Sequence, residues 1–374
     1  MKKILFLSDF SFNVPGGAQK SMEIIMDGLS NDYEFYIIMP GPKYEYNKRY
    51  KILFLEELDS LLVNENIFKS FKILNEIYRL IKKIRPDVIH THMVSSMSAV
   101  ELLKTLGLLN CPLVYTERGV ADQYSRINQF ILKRLAKNFD KVITTTNINK
   151  TLYINNYLAK QDKVTVIPNT AGPLFDYYDE SFKETVRKQY GLTKKVVMLN
   201  GRYAHDKNWE LAKKIISFIS KEYDYQFIVV IGSDKTEGVI KECKALISEI
   251  EEIAGVDNVK GFIDLSLEDL SRLYYGADIF ILTSRRESFG RTAIEAMSRK
   301  VIVYGTNIDG LAEVIAYENY KYQDLEDFKA KFLELQTANL EEEKNMFHER
   351  YLENFSQEIN INLHKKLYSE ILDT

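Results

Sequence analysis

Hydrophobic and polar positions along this chain alternate between short apolar runs and longer amphipathic stretches. Residues 4–8, 34–39, 87–92, 113–119, 141–146 and 163–168 form one series of runs, and 195–200, 226–232, 258–261, 277–282 and 300–304 form a second. Runs this short that are apolar almost throughout predict parallel strands buried on both faces. Between them the apolar spacing changes to that of helices, as in residues 20–29 and 69–84, the latter with Lys and Arg along its polar side. Residues 325–374 read as polar helices. Two series of alternating strands and helices predict an α/β chain with two Rossmann-like, doubly wound parallel sheets. There are no short repeats or low-complexity tracts.

The stretch around which the pattern is organised is Thr283-Ser-Arg-Arg-Glu287-Ser288-Phe289-Gly290-Arg291-Thr292-Ala-Ile-Glu295. The run Ile279–Leu282 predicts a buried strand, and residues 289–298 a helix whose first turn Ser288 would cap. Unpaired N–H groups at such a helix start, with the positive end of its dipole, suit an anion such as a diphosphate. At roughly 1.5 Å of rise per residue, Glu287 and Glu295 would lie about 10 Å apart along the axis. One carboxylate can then accept hydrogen bonds from sugar hydroxyls and the other from a ribose diol. The plainer alternative is a surface helix with a capping serine and two solvated glutamates.

Other strand ends carry polar groups where ligands bind in doubly wound folds. After the first strand comes Gly16-Gly17, which lets backbone approach a ligand closely; its spacing is not the G-x-G-x-x-G of dinucleotide-binding dehydrogenases. His90 and His92, two residues apart, share one strand face. The pair reads poorly as metal ligands, since no partner cluster accompanies it; His92 reads either as a hydrogen-bonding group for an acceptor or donor sugar or as a satisfied core histidine. Glu117 and Arg118 end the next strand. A guanidinium cannot act as a base at neutral pH, so Arg118 would bind an anion or orient a hydroxyl, with Glu117 a structural partner or an acceptor contact. Arg202 and Lys207 follow the first strand of the second half.

Composition narrows the classes. With 374 residues, 45% apolar and 28% charged, the chain has ordinary globular composition and room for two cores. Cys111 and Cys243 stand far apart without C-x-x-C spacing, which argues against a disulfide framework or zinc site and for a reducing compartment. No apolar run approaches the roughly twenty residues of a membrane span, and Met1-Lys-Lys-Ile-Leu-Phe-Leu-Ser-Asp9 suits a first strand better than a signal peptide. The expected location is cytoplasmic. Residues 1–170 carry 23 Lys and Arg against 17 Asp and Glu, about +6, so the acidic excess lies wholly in the second half. With no nucleic-acid-binding signature, the basic half suggests at most peripheral contact with an anionic membrane face.

The segment Glu287-Ser-Phe-Gly-Arg-Thr-Ala-Ile-Glu295 resembles the E-x7-E signature of glycosyltransferase family 4, retaining nucleotide-sugar transferases of GT-B fold. Two positions depart from it: Ser288 replaces the usual Gly and Arg291 an aliphatic residue. The resemblance extends along the chain. Gly16-Gly17 is similar to a family loop facing the donor phosphate, and Arg118 stands where a sugar-touching His is common. Ile167-Pro-Asn-Thr170 resembles a boundary motif. Arg202 and Lys207 match paired cations over the diphosphate, Phe262 lies in the Gly261-Phe-Ile-Asp264 turn that would hold the nucleobase, and Asn307-Ile-Asp-Gly-Leu-Ala-Glu313 is similar to a Gly-Gly-x-x-E turn with Asp309 in place of one Gly.

The resemblance implies two such domains facing across a cleft. Residues 1–170 would bind the acceptor and 171–354 the donor, residues 171–182 would be a linker, and a helix over about 355–374 would pack back on the first domain. It implies transfer of a hexose-type sugar, with a UDP-sugar the first expectation, to a sugar or lipid-linked glycan in bacterial surface-polysaccharide synthesis. Arg202, Lys207 and Glu287 would be catalytic. Gly16, Gly17, Phe262, Ser288, Phe289, Gly290, Arg291, Thr292 and Glu295 would hold the donor, and His92, Glu117 and Arg118 the acceptor or sugar. No cofactor or metal is expected, since the chain lacks an Asp-x-Asp. Two other readings stand beside this one: a nucleotide-sugar 2-epimerase on the same fold, and a non-catalytic sugar-nucleotide-binding partner of a transferase.

Overall fold

The computed structural model describes residues 1–12, 16–41, 49–56, 58, 67–119, 126–135, 138–157 and 159–373. The chain divides into two compact units, Met1–Asn169 with Gln357–Thr374, and Thr170–Ser356. Three residues of the first glycine loop, 13–15, lie outside the described residues.

In the first unit the chain runs β1 (Lys3–Leu7), α1 (Gly17–Gly28), β2 (Glu34–Met39), β3 (Lys51–Phe54), α2 (Ile67–Ile84), β4 (Val88–Thr91), α3 (Val94–Thr105), β5 (Leu113–Thr116), α4 (Arg126–Leu135), β6 (Lys141–Thr144), α5 (Asn147–Tyr157) and β7 (Val164–Val166). The seven strands are all parallel, in the order β3-β2-β1-β4-β5-β6-β7. Strand β1 shows why its run is apolar throughout. Leu5 and Leu7 enter a core with Ile77 of α2 and Val100 of α3, while Ile4 and Phe6 enter another with Met22 and Ile25 of α1. Both faces are covered, so neither can be polar.

The second unit follows as α6 (Ser181–Tyr190), β8 (Lys195–Arg202), α7 (Trp209–Glu222), β9 (Tyr225–Gly232), α8 (Glu237–Ala254), β10 (Val259–Ile263), α9 (Leu267–Leu273), β11 (Ile279–Leu282), α10 (Arg291–Met297), β12 (Ile302–Thr306), α11 (Asp309–Ile315), β13 (Lys321–Tyr322), α12 (Leu325–Leu335) and α13 (Leu340–Asn354). Its six strands are parallel too, in the order β10-β9-β8-β11-β12-β13. The last helix, α14 (Gln357–Leu372), belongs to the first unit, where Leu367, Tyr368 and Ile371 join the core of Ile4 and Phe6. Among the described residues no helix is long and apolar enough to cross a membrane.

Several expectations need correction. Strands β3 and β13 were not anticipated: β3 is an exposed-to-half-buried edge strand, and β13 has two residues. Residues 171–182 are not a loose linker. Phe175 is buried, and the Arg299 guanidinium donates to the carbonyls of Leu174, Phe175 and Tyr177, fastening the segment to the second unit.

The placement of function follows from strand order. In each sheet the winding reverses beside its first strand, between β1 and β4 and between β8 and β11. The loops after those strands part to opposite faces and leave a crevice at the carboxyl ends, the usual seat of a ligand.

Candidate active site

In the second unit the loops after β8 and β11 are stitched together. Lys207 ends a short 3-10 turn, His205–Lys207, and Asn208 after it takes a left-handed conformation at φ 53°. From the facing loop, Thr283 Oγ1 donates to the Lys207 carbonyl at 2.7 Å, and the Arg285 N–H donates to the Asp206 carbonyl at 2.7 Å. Arg285 Nη2 also donates to Asn208 Oδ1 at 2.8 Å. Within this frame Lys207 Nζ lies 2.7 Å from Glu287 Oε2, both side chains about four-fifths buried. A charge-assisted bond so shielded from water fixes both groups. Arg202, the last residue of β8, is exposed, and its guanidinium has no ion pair among the described residues. Its carbonyl accepts from Trp209 Nε1 at 3.0 Å, which seats the backbone beneath it.

The carboxylate turn differs from its expected form. Helix α10 begins at Arg291, not Phe289, and its N-cap is Gly290 at φ 86°, which has no side chain to cap with. The capping role falls partly to Glu287, whose Oε1 accepts the Gly290 N–H at 3.2 Å. The helix has only seven residues, so the axial rise used to space the two carboxylates does not apply to the turn 287–290. Gly290 has a conformational reason: a Cβ there would stand 2.6 Å from Leu311 Cδ1, on a backbone that side chains rarely adopt. Phe289 is buried, its ring edge-on to Phe355 at 5.8 Å, so its side chain belongs to the core.

Glu295, one turn into α10, is 6% exposed and accepts a hydrogen bond at 3.1 Å from the Tyr274 hydroxyl, which itself accepts one at 3.1 Å from Asn200 Nδ2. Burial pushes the Glu295 carboxyl up to about 7, while the Arg291 charge and the Tyr274 hydroxyl oppose that rise. Arg291 and Thr292 are half-buried beside it. Phe262 lies within β10 rather than in a turn, and its ring packs edge-on against Tyr190 at 5.4 Å. The turn comes only at Asp264, at φ 53°.

In the first unit, Asp9 after β1 accepts from the Ser95 and Ser96 N–H groups at 3.0 and 2.9 Å, tying β1 to the start of α3 across the switch point. His90 is a satisfied core histidine: Nδ1 meets the Tyr368 hydroxyl and Nε2 the Thr116 hydroxyl, each at 2.7 Å. His92 differs. Its Nδ1 accepts from Arg118 Nε and Nη2 at 3.2 and 2.9 Å, and Arg118 Nη1 donates to Asn169 Oδ1. Burial, then the Arg118 charge, holds the His92 imidazole well below its ordinary pKa. It is therefore neutral, with its proton on Nε2, a buried donor without a hydrogen-bond partner among the described residues. Glu117 is taken up internally, accepting from the Tyr115 hydroxyl at 3.2 Å and the Gly119 N–H at 2.9 Å. Gly16 is the N-cap of α1 at φ −167°, open to any residue, while Gly17 begins the helix with empty space where a Cβ would be.

The second unit thus brings Lys207, Glu287 and Gly290 together, and the first unit brings His92 to Arg118. The sequence reading missed Tyr274, Asn169, Thr283 and Asp309. Their contacts bridge elements far apart in the chain, and only Asp309, standing where a glycine was expected, left a trace.

Comparison with known proteins matches both halves. Residues 15–171 match the family described as Glycosyltransferase Family 4, and residues 182–350 that described as Glycosyl transferases group 1. Mannosylfructose-phosphate synthase of Agrobacterium fabrum is 29% identical over 185 residues, 48% of this chain but only 40% of that protein. The capsular polysaccharide biosynthesis glycosyltransferase CapH of Staphylococcus aureus is 23% identical over 312 residues, 81% of each chain. Anabaena HepE, solved in complex with UDP-glucose, superposes with a TM-score of 0.76 at 18% identity, over 99% of this chain and 100% of that one, a likeness of fold.

Proposed function

Because this chain belongs to glycosyltransferase family 4 and has the GT-B fold, we propose that it is a retaining hexosyltransferase. It takes a sugar from a nucleotide-sugar, UDP-linked as the first choice, and passes it to a sugar or lipid-linked glycan in bacterial surface-polysaccharide assembly. The observation that carries the reading is the Lys207–Glu287 pair at the switch point of the second sheet, with exposed Arg202 ending the neighbouring strand. UDP is favoured by the HepE complex, and the glycan role by the name of the CapH relative.

The chemistry asks for these groups. Breaking the bond from anomeric carbon to phosphate oxygen leaves negative charge on the diphosphate. Fixed cations lower that barrier because they interact more strongly as the charge grows. Lys207 is held by Glu287 and needs little reorganisation, while Arg202 has room to meet the phosphate. The acceptor hydroxyl then bonds to the anomeric carbon on the face the diphosphate leaves, and its proton passes to the departing phosphate oxygen, so configuration is kept without a protein base. Glu287 receives sugar hydroxyls, and Glu295 the ribose diol. Gly17, with open space at its Cβ, suits close approach of a ligand to backbone. Arg118, half-buried just past the end of β5, supplies donors for the acceptor or sugar, with His92 holding its guanidinium in place.

We place the protein at the cytoplasmic face of a membrane, touching it peripherally. Phe68 and Phe71 of α2 are 81% and 60% exposed, with Lys69 and Lys72 between and beside them, a pairing of aromatic and cationic groups that suits an anionic bilayer surface. The testing experiment is donor turnover with and without glycan acceptors, in buffer and in chelator, for the wild type and Glu287→Ala. Acceptor-dependent release of nucleotide that survives chelation and is lost in the variant supports the reading. A C2-epimerised donor would identify the epimerase alternative, and binding without turnover the non-catalytic one.

A further inference from the structure

Asp309 is the first residue of α11 and sits at φ 41°, in the left-handed region where glycine is at ease and other residues are strained. A residue kept there against its backbone preference needs a reason in its side chain. Asp309 Oδ2 accepts two hydrogen bonds from adjacent residues of the carboxylate loop, the Glu287 N–H at 3.1 Å and Arg286 Nε at 3.0 Å. The carboxylate is 15% exposed, so water competes little for it. Two residues on, Leu311 Cδ1 closes over Gly290, 2.6 Å from where a Cβ would stand. The first turn of α11 therefore brackets the segment 287–290 at both ends, by hydrogen bond before it and by packing behind it.

We propose that Asp309 is a positioning residue for Glu287: it trades backbone comfort for a clamp on the peptide from which Glu287 reaches Lys207. A glycine would satisfy the backbone and leave that peptide unheld. The inference rests on the transferase reading for its catalytic consequence, whereas the clamp itself is a property of the fold.

The two sides of the trade have opposite signs in one variant. Asp309→Gly relieves the strained φ, so its melting midpoint equals or exceeds the wild type's, yet its kcat falls about ten- to a hundredfold with a smaller change in KM, because a loosened Glu287 misplaces the reacting groups. The Glu287 amide, followed by hydrogen exchange, loses its protection in the same variant. Asp309→Asn keeps an acceptor oxygen for that amide and restores most of the turnover. A midpoint well below the wild type's in Asp309→Gly would overturn the proposal by making the residue merely structural. Wild-type turnover or wild-type Glu287 exchange in that variant would overturn the clamp. If the wild-type protein turns over no donor, the transferase reading fails on its own, and the exchange rate and midpoint still decide the role of Asp309.

Discussion

Lys207 and Glu287 stand 80 residues apart in sequence, yet Nζ and Oε2 meet at 2.7 Å where β8 and β11 end. Their loops are sewn together by Thr283, Arg285 and the Asp206 carbonyl, which fixes the geometry of the pair. On the proposed function this is preorganisation: the cation is held where leaving-group charge would develop.

Lys207→Ala should lower kcat about 10²- to 10³-fold, the range seen when one preorganised donor to a developing charge is removed. Its melting midpoint should fall far less, because Glu287 retains the Gly290 N–H as a donor. Steady-state turnover beside a thermal melt checks both. Unchanged turnover would remove Lys207 from the chemistry.

On the proposed function Glu295 ties donor binding to pH. Its carboxyl is pushed up to about 7, so the folded protein retains a proton that the unfolded chain releases at lower pH. Stability contributed by that proton is full in acid and falls as pH rises from the ordinary carboxylate range to about 7. Affinity moves the other way, since only the carboxylate can accept from both hydroxyls of a ribose diol, one on each oxygen, whereas the protonated group spends one oxygen as a donor. A UDP-sugar, whose diphosphate does not titrate here, should bind about tenfold more weakly at pH 6 than at pH 8. Glu295→Gln should flatten that profile. Arg291→Leu should move its midpoint upward, because the Arg291 charge holds the carboxyl down. Calorimetry across pH gives the result, and a flat wild-type profile would contradict the role given to Glu295.

Gly290→Ala places a side chain at φ 86° and against Leu311. The cost should be about 1–3 kcal/mol of stability, most of it from the backbone, since Leu311 can shift its terminal methyl. Chemical denaturation measures it. A neutral effect would mean that the turn can flip out of the left-handed region.

Phe68→Ser with Phe71→Ser should release the protein from vesicles containing anionic lipid while leaving turnover of a soluble acceptor intact. Flotation tests this, and wild-type protein that never co-floats would end the peripheral-contact proposal.

Much of this was legible in the sequence because burial on two faces forces apolar runs. Ile279–Leu282 and the strands flanking it could be read as buried, and the acid spacing of Glu287 and Glu295 stood out after them. Edges were harder: Lys51–Phe54 is half solvated, so its composition looks like a loop. The start of α10 was misjudged because the turn is set by the φ of Gly290, which only the folded backbone reveals. Contacts through space left no mark at all. Nothing in the sequence pairs Tyr274 with Glu295, Arg118 with His92, or the rings of Phe262 and Phe289 with those of Tyr190 and Phe355.

The central claim, that the second unit holds a nucleotide-sugar with Glu295 on its ribose, is met most directly by thermal stabilisation against a panel of UDP-, GDP-, ADP- and CDP-sugars, for the wild type and Glu295→Ala. Binding to the folded state raises the midpoint with ligand concentration. The account predicts a clear rise with one nucleotide class, UDP foremost, that disappears in the variant. Midpoints that no nucleotide-sugar moves, or an equal rise in Glu295→Ala, would contradict it.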